Sequence, residues 1–149
     1  MVRFLRRLLT IFLGSARKSL HQGNVAANEQ IARYILSKRH FSTSKRTVKY
    51  AAYLPAPNGE TSVYRTSGVS EEDIWEIGQE NVAKPSGRTL YARGETTAGV
   101  ILRTGLALFP ESTPHPLHAN IMNWPSEKDE QKMLALEIAN EATLTNSPQ

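Results

Sequence analysis

The 149-residue chain contains no cysteine. That absence excludes a disulfide scaffold, a thiolate zinc site and a cysteine nucleophile, and it fits a reducing compartment. Aromatic residues are few, 7% of the chain, so the core must rest mainly on aliphatic side chains. No stretch reaches the ~18 to 20 apolar residues of a membrane-spanning helix. The longest near the start is Leu8-Leu9-Thr10-Ile11-Phe12-Leu13. Acids are nearly missing from the front: residues 1–49 hold eleven Lys/Arg against one acid, Glu29. Residues 50–149 reverse the balance, with seven Lys/Arg against thirteen Asp/Glu. The net charge of +4 therefore describes neither part. No Walker loop, dinucleotide fingerprint, nucleophile elbow or zincin helix appears, so no cofactor and no metal are expected.

What is present suffices for one modest core. The composition divides the chain into a basic helical arm or leader, 1–44, and a compact acidic α+β domain, 45–149. Residues 3–18 read as an amphipathic helix, with Phe4, Leu5, Leu8, Leu9, Phe12 and Leu13 opposite Arg3, Arg6, Arg7, Arg17 and Lys18. Such a helix packs on its own domain, lies on a membrane surface, or belongs to a leader. If residues 1–16 act as a signal, the protein is exported or membrane-associated; otherwise the cytoplasm is expected. The Arg- and Ser-rich texture of Arg39 to Arg46 also suits a transit peptide. Residues 24–37 are a second helical candidate. Residues 38–49 interleave Lys38, Arg39, Lys45, Arg46 and Lys49 with Phe41, a pattern able to grip phosphates or to stay a solvated linker.

The acidic half reads as a small sheet with two or three helices. Val48 to Leu54 and Thr61 to Arg65 look like a hairpin around Pro57-Asn58-Gly59. Ser70-Glu71-Glu72-Asp73 opens a helix over 71–82, with Ser70 as cap and the acids at the positive end of the dipole. Arg88 to Arg93 is a short strand, Thr96 or Thr97 caps a short helix ending at Gly105, and Leu106 to Phe109 is a strand. His118 to Asn123 is a strand stopped by Trp124-Pro125. Ser126 caps the last helix, with Met133, Leu134, Leu136, Ile138 and Ala142 as its apolar stripe. Residues 145–149 are expected to fray.

Chemistry concentrates between Pro114 and Pro125. His118 and Asn120, two residues apart on a strand, share a face. An imidazole moves protons near neutral pH and a carboxamide holds a substrate oxygen, so these two with Arg93 form a candidate catalytic set. The bland alternative has both bonding backbone, with Trp124 covering the core. His115 and His118 lack a visible third metal ligand. Arg65, His115, Trp124, Lys45 and Arg46 are candidate binding residues. Arg65 and Arg93 suit a phosphate or carboxylate, or serve as partners of Glu71, Glu72 or Glu95.

The segments Ser62-Val63-Tyr64-Arg65-Thr66-Ser67-Gly68, Asp73-Ile74-Trp75-Glu76-Ile77-Gly78, Leu90-Tyr91-Ala92-Arg93-Gly94 and His118-Ala119-Asn120-Ile121 with Trp124-Pro125 carry a resemblance. Over Ile35 to Leu144 the chain resembles a group of small uncharacterised bacterial proteins. In that group the Arg93-Gly94-Glu95 segment more often reads Arg-Ala-Asp. The loop before His118 often reads Pro-Pro-Arg-His, where this chain has His115-Pro116-Leu117-His118. The resemblance implies no activity, ligand or site residue. Three functions are consistent with the residues: an interaction protein binding a protein partner, a phosphate-directed, nuclease-like enzyme using His118, Asn120 and an arginine, and a nucleic-acid binder acting through residues 38–49.

Overall fold

The structure, a computed structural model, describes residues 25–148. The helix expected over 3–18 lies outside the described residues. The fold is α+β, built on one six-stranded antiparallel sheet in the order β6-β7-β4-β1-β5-β8. Its strands are β1 (Gln30–Ile35), β4 (Thr61–Arg65), β5 (Ala92–Thr97), β6 (Ala107–Pro110), β7 (His118–Met122) and β8 (Thr143–Asn146). The short strands β2 (Phe41–Ser42) and β3 (Thr47–Val48) form a separate hairpin. Three α-helices complete the described chain: α1 (Glu71–Gly78), α2 (Ala98–Arg103) and α3 (Lys128–Asn140).

The segment expected as a second helix holds an inner strand instead. β1 pairs with β4 on one side and with β5 on the other. A strand covered on both faces loses polar alternation and becomes a near-continuous apolar run, which periodicity cannot tell from a helix. The compact body therefore begins before residue 45, and a boundary at 44/45 would cut off a central strand. Val48 to Leu54 is not half of a hairpin either. Val48 pairs with Phe41, Tyr50–Tyr53 is a 3-10 turn, and β4 pairs with β1 and β7.

The two faces of the sheet are closed differently. On one, α3 places Leu134, Ala135, Ile138 and Ala139 against Ile31, Ile35, Val63, Leu108 and Ile121. Met133 and Leu136, expected in its stripe, point to solvent at 63% and 44% exposure. On the other, α1 places Ile74 and Ile77 against Tyr34 and Tyr64, whose rings meet at 5.4 Å. Ser70 caps α1, accepting the Asp73 N–H at 3.2 Å. The helical path outruns the expected end at residue 82. It widens into a π turn, Gln79–Ala83, and adds a last turn over Lys84–Ser86. At that turn the Asn81 side chain takes the Ile77 carbonyl at 3.0 Å.

Other local expectations hold in part. Thr97 caps α2, and Gly105 at φ +88° follows it. The strand expected over Arg88 to Arg93 starts later, at Ala92. Ser126 does not cap α3: Glu127 holds that position without a side-chain bond. Of the residues expected to fray, Thr145 and Asn146 instead pair with β5, opposite Arg93 and Ala92.

Candidate functional site

The register of β4 and β7 builds a polar belt. Ser62 lies opposite Asn120 and Tyr64 opposite His118, and residues directly opposite share a face. Ser62 Oγ is 2.8 Å from His118 Nε2. The His118 ring, 6% exposed, lies 5.2 Å from the Tyr64 ring. Its Nδ1 is buried without a hydrogen-bond partner. A serine and an imidazole thus stand in bonding contact, but among the described residues no carboxylate backs the ring. The third group that orients a general base in a nucleophilic triad is missing from this pair. The Asn120 amide donates to Glu111 Oε2 at 2.7 Å.

The arginines of the acidic half do not join this belt. Arg93 sits on β5, three inter-strand steps from β7, about 14 Å of backbone separation. It is 2% exposed, bonds both Glu71 and Glu95, and lies 4.7 Å from the Trp75 ring. The Glu71 carboxyl is held below the usual carboxylate range by that guanidinium. Arg65 follows Tyr64 and so leaves β4 on the face opposite His118. Its Nε donates to Glu29 at 2.8 Å, and Nη2 to the second Glu29 oxygen at 3.0 Å. The expected set of His118, Asn120 and Arg93 is therefore not one constellation: the first two share a belt and the third ties β5 to α1.

The remaining candidates are scattered. The Trp124 indole donates to the Ile121 carbonyl at 3.2 Å and covers the aliphatic core. Lys45 and Arg46 lie exposed at the tip of the β2–β3 hairpin, with Arg46 at φ +54°. His115 accepts the Leu117 N–H on Nδ1 at 3.0 Å. His115 also lines a groove of about 650 Å3 beside α1. Asp73, Glu76 and Glu80 rise along one wall, while Val69, Ile77 and Leu117 provide apolar surface. These helix positions recur at spacings of three and four, so they occupy one face of the helix. Lys84 pairs with Glu80 at 3.4 Å in an exposed contact. Among the described residues no cluster of three His, Cys, Asp or Glu could hold a metal.

Two functional groups had no sequence signal. Ser62 was one hydroxyl among many until the register set it beside His118. Arg33 sat in a segment read as helix, and only the sheet shows it to be a cation on a core-facing strand. Compared with known families, curated proteins and solved structures, the chain matches none.

Proposed function

We propose that the protein is a small binding protein whose acidic groove captures a basic, partly apolar segment of a protein partner. The groove beside α1 carries this reading. Its wall of Asp73, Glu76 and Glu80 favours Lys or Arg, and Val69, Ile77 and Leu117 supply the apolar contact that an amphipathic segment needs. The enzyme alternative draws less support, because Arg65 and Arg93 each hold a carboxylate and His118 has no orienting acid. The nucleic-acid alternative rests on Lys45 and Arg46 at a hairpin tip, and the acidic groove repels phosphate.

The test is a titration of the full chain with a Lys/Leu amphipathic peptide and with its Glu/Leu counterpart, followed by fluorescence anisotropy. The basic peptide binds, more weakly as salt rises, and the acidic one does not. Replacing Asp73, Glu76 and Glu80 together by Asn, Gln and Gln removes the preference. Equal binding of both peptides, or an unchanged preference in the triple variant, sinks the proposal.

A further inference from the structure

Arg33 is a cation on the aliphatic side of the sheet. Its same-face neighbours on β1, Ile31 and Ile35, are each 1% exposed. Its cross-strand partner Gly94 faces Tyr53 and Val48, where an added Cβ would meet the phenol oxygen at 2.8 Å. The guanidinium is held by neutral acceptors alone. Nε donates to the Ala52 carbonyl at 2.6 Å and Nη1 to the Ser62 carbonyl at 2.9 Å. Arg65 and Arg93 each hold carboxylates, whereas Arg33 makes no ion pair among the described residues. Burial pulls its pKa down from the usual arginine value. The side chain is half-buried, and a cation partly withdrawn from water with no counter-ion among the described residues lowers stability, so the missing anion calls for an explanation.

The cavity beside it supplies one. Arg33 lines a pocket of about 190 Å3 together with Leu54, Ala56, Asn58, Glu60, Ser62 and Asn120. A guanidinium has five N–H donors in a planar fork, and two are engaged by the carbonyls. Glu60 lines the same pocket and forms no ion pair with Arg33. Asn58 braces it, accepting the Glu60 N–H at 3.0 Å. One positive and one negative side chain thus share a small cavity without neutralising each other. A plain carboxylate satisfies Arg33 but sets a second anion near Glu60, and a plain amine does the reverse. A molecule with both charges satisfies both walls. The volume holds about six waters at ~30 Å3 each, which suits five or six non-hydrogen atoms.

We propose that this cavity binds a small zwitterion, an amino-carboxylate of glycine or alanine size, with its carboxylate on Arg33 and its ammonium on Glu60. The fork gives the carboxylate a fixed direction. Asn58 holds Glu60 from both ends of its carboxamide, its Nδ2 lying 3.4 Å from Glu60 Oε1, and the Asn120 amide is engaged by Glu111.

The experiment titrates the full chain with glycine, alanine, acetate and methylammonium at constant ionic strength, read by backbone amide shifts in NMR. Glycine or alanine gives saturable shifts around Leu54 to Ser62 and Asn120. Acetate and methylammonium bind at least about tenfold more weakly, the size expected for losing one charge-assisted contact. Glu60→Gln cuts zwitterion affinity by at least about tenfold and brings acetate level with it. Arg33→Gln abolishes binding of both carboxylates. Because Arg33 touches the core, the Glu60→Gln variant, at a half-buried loop position, decides the question if Arg33→Gln does not fold. Three outcomes overturn the proposal: no saturable shift with either amino acid, acetate binding as tightly as glycine, or affinity unchanged in Glu60→Gln.

Discussion

The same strands present two unlike faces. The face under α3 is aliphatic: Ile31, Ile35, Val63, Leu108, Ile121 and Ile138 are all within 1% of full burial. The face under α1 is closed by rings, hydrogen bonds and ions. There Tyr34 donates to the Ile74 carbonyl, and Arg93 joins Glu71 at the start of α1 to Glu95 on β5. Aliphatic burial is non-directional and tolerates only what fills space, so it sets the fold. Polar closure depends on partner geometry, so it leaves Ser62 and the carboxylates of α1 partly exposed and buries His118 with an unpartnered Nδ1. Candidate chemistry collects on the second face for that reason, and Arg33 stands out on the first because, unlike Arg65, it has no carboxylate partner among the described residues.

The largest expected effect tests the aliphatic side. Ile138→Ala removes three carbons from a fully buried site on α3 and should destabilise by about 2–5 kcal/mol in urea unfolding. A loss under ~1 kcal/mol would mean that α3 is not the main closure of that face. The next breaks the polar side. Arg93→Met keeps much of the side-chain volume but removes the bonds to Glu71 and Glu95, with an expected loss of about 1.5–3 kcal/mol. Hydrogen exchange should accelerate over residues 71–86 and stay slow in α3. Uniform acceleration would show that the two faces do not open separately.

The contrast also explains what the sequence revealed. Caps and turns are local, so Ser70 marked α1, and Thr96 or Thr97 with Gly105 marked α2, whose cap is Thr97. Strand β7 was legible because Trp124-Pro125 stops it, and its alternation put His118 and Asn120 on one face. Strand β1 was not, since cover on both faces erases the period-two signal. Pairing partners are nonlocal as well. Nothing in Thr61 to Arg65 says that it joins β7 across 56 residues, so the Ser62–His118 contact had no local signature. The partners of Arg93 were legible as charges, Glu71 and Glu95, but its distance from His118 depended on strand order. The cap of α3 differs because the favoured capping residue, Ser126, lies one position before the observed boundary, and that position turns on one residue of backbone geometry.

A smaller effect isolates the entry to the polar face. Ser70→Ala removes the oxygen that accepts the Asp73 N–H and should lower stability by about 1 kcal/mol. The three acids of that first turn still favour the helix dipole, so α1 should persist by circular dichroism. Loss of the helix would show that the cap, rather than Ile74 and Ile77 against the tyrosines, holds it in place.

The smallest effect compares the ion pairs of the two faces by pH. Glu29 is held below the usual carboxylate range chiefly by its bond to Arg65, and Glu71 chiefly by its bond to Arg93. In each case the folded pKa lies below the unfolded one. Each pair therefore stabilises fully above the unfolded value near ~4.3, and that share is lost as pH falls through the folded value. The two should not contribute equally. Both carboxylates are bonded through both oxygens, but the Glu29 side chain is 17% exposed whereas that of Glu71 is 66% exposed and screened by solvent. Glu29→Gln should flatten the acid limb of the stability curve more than Glu71→Gln, with neither exceeding about 1 kcal/mol at neutral pH. If Glu71→Gln has the larger effect, the exposed end of the Arg93 network governs its strength, and the polar face is held from outside inward.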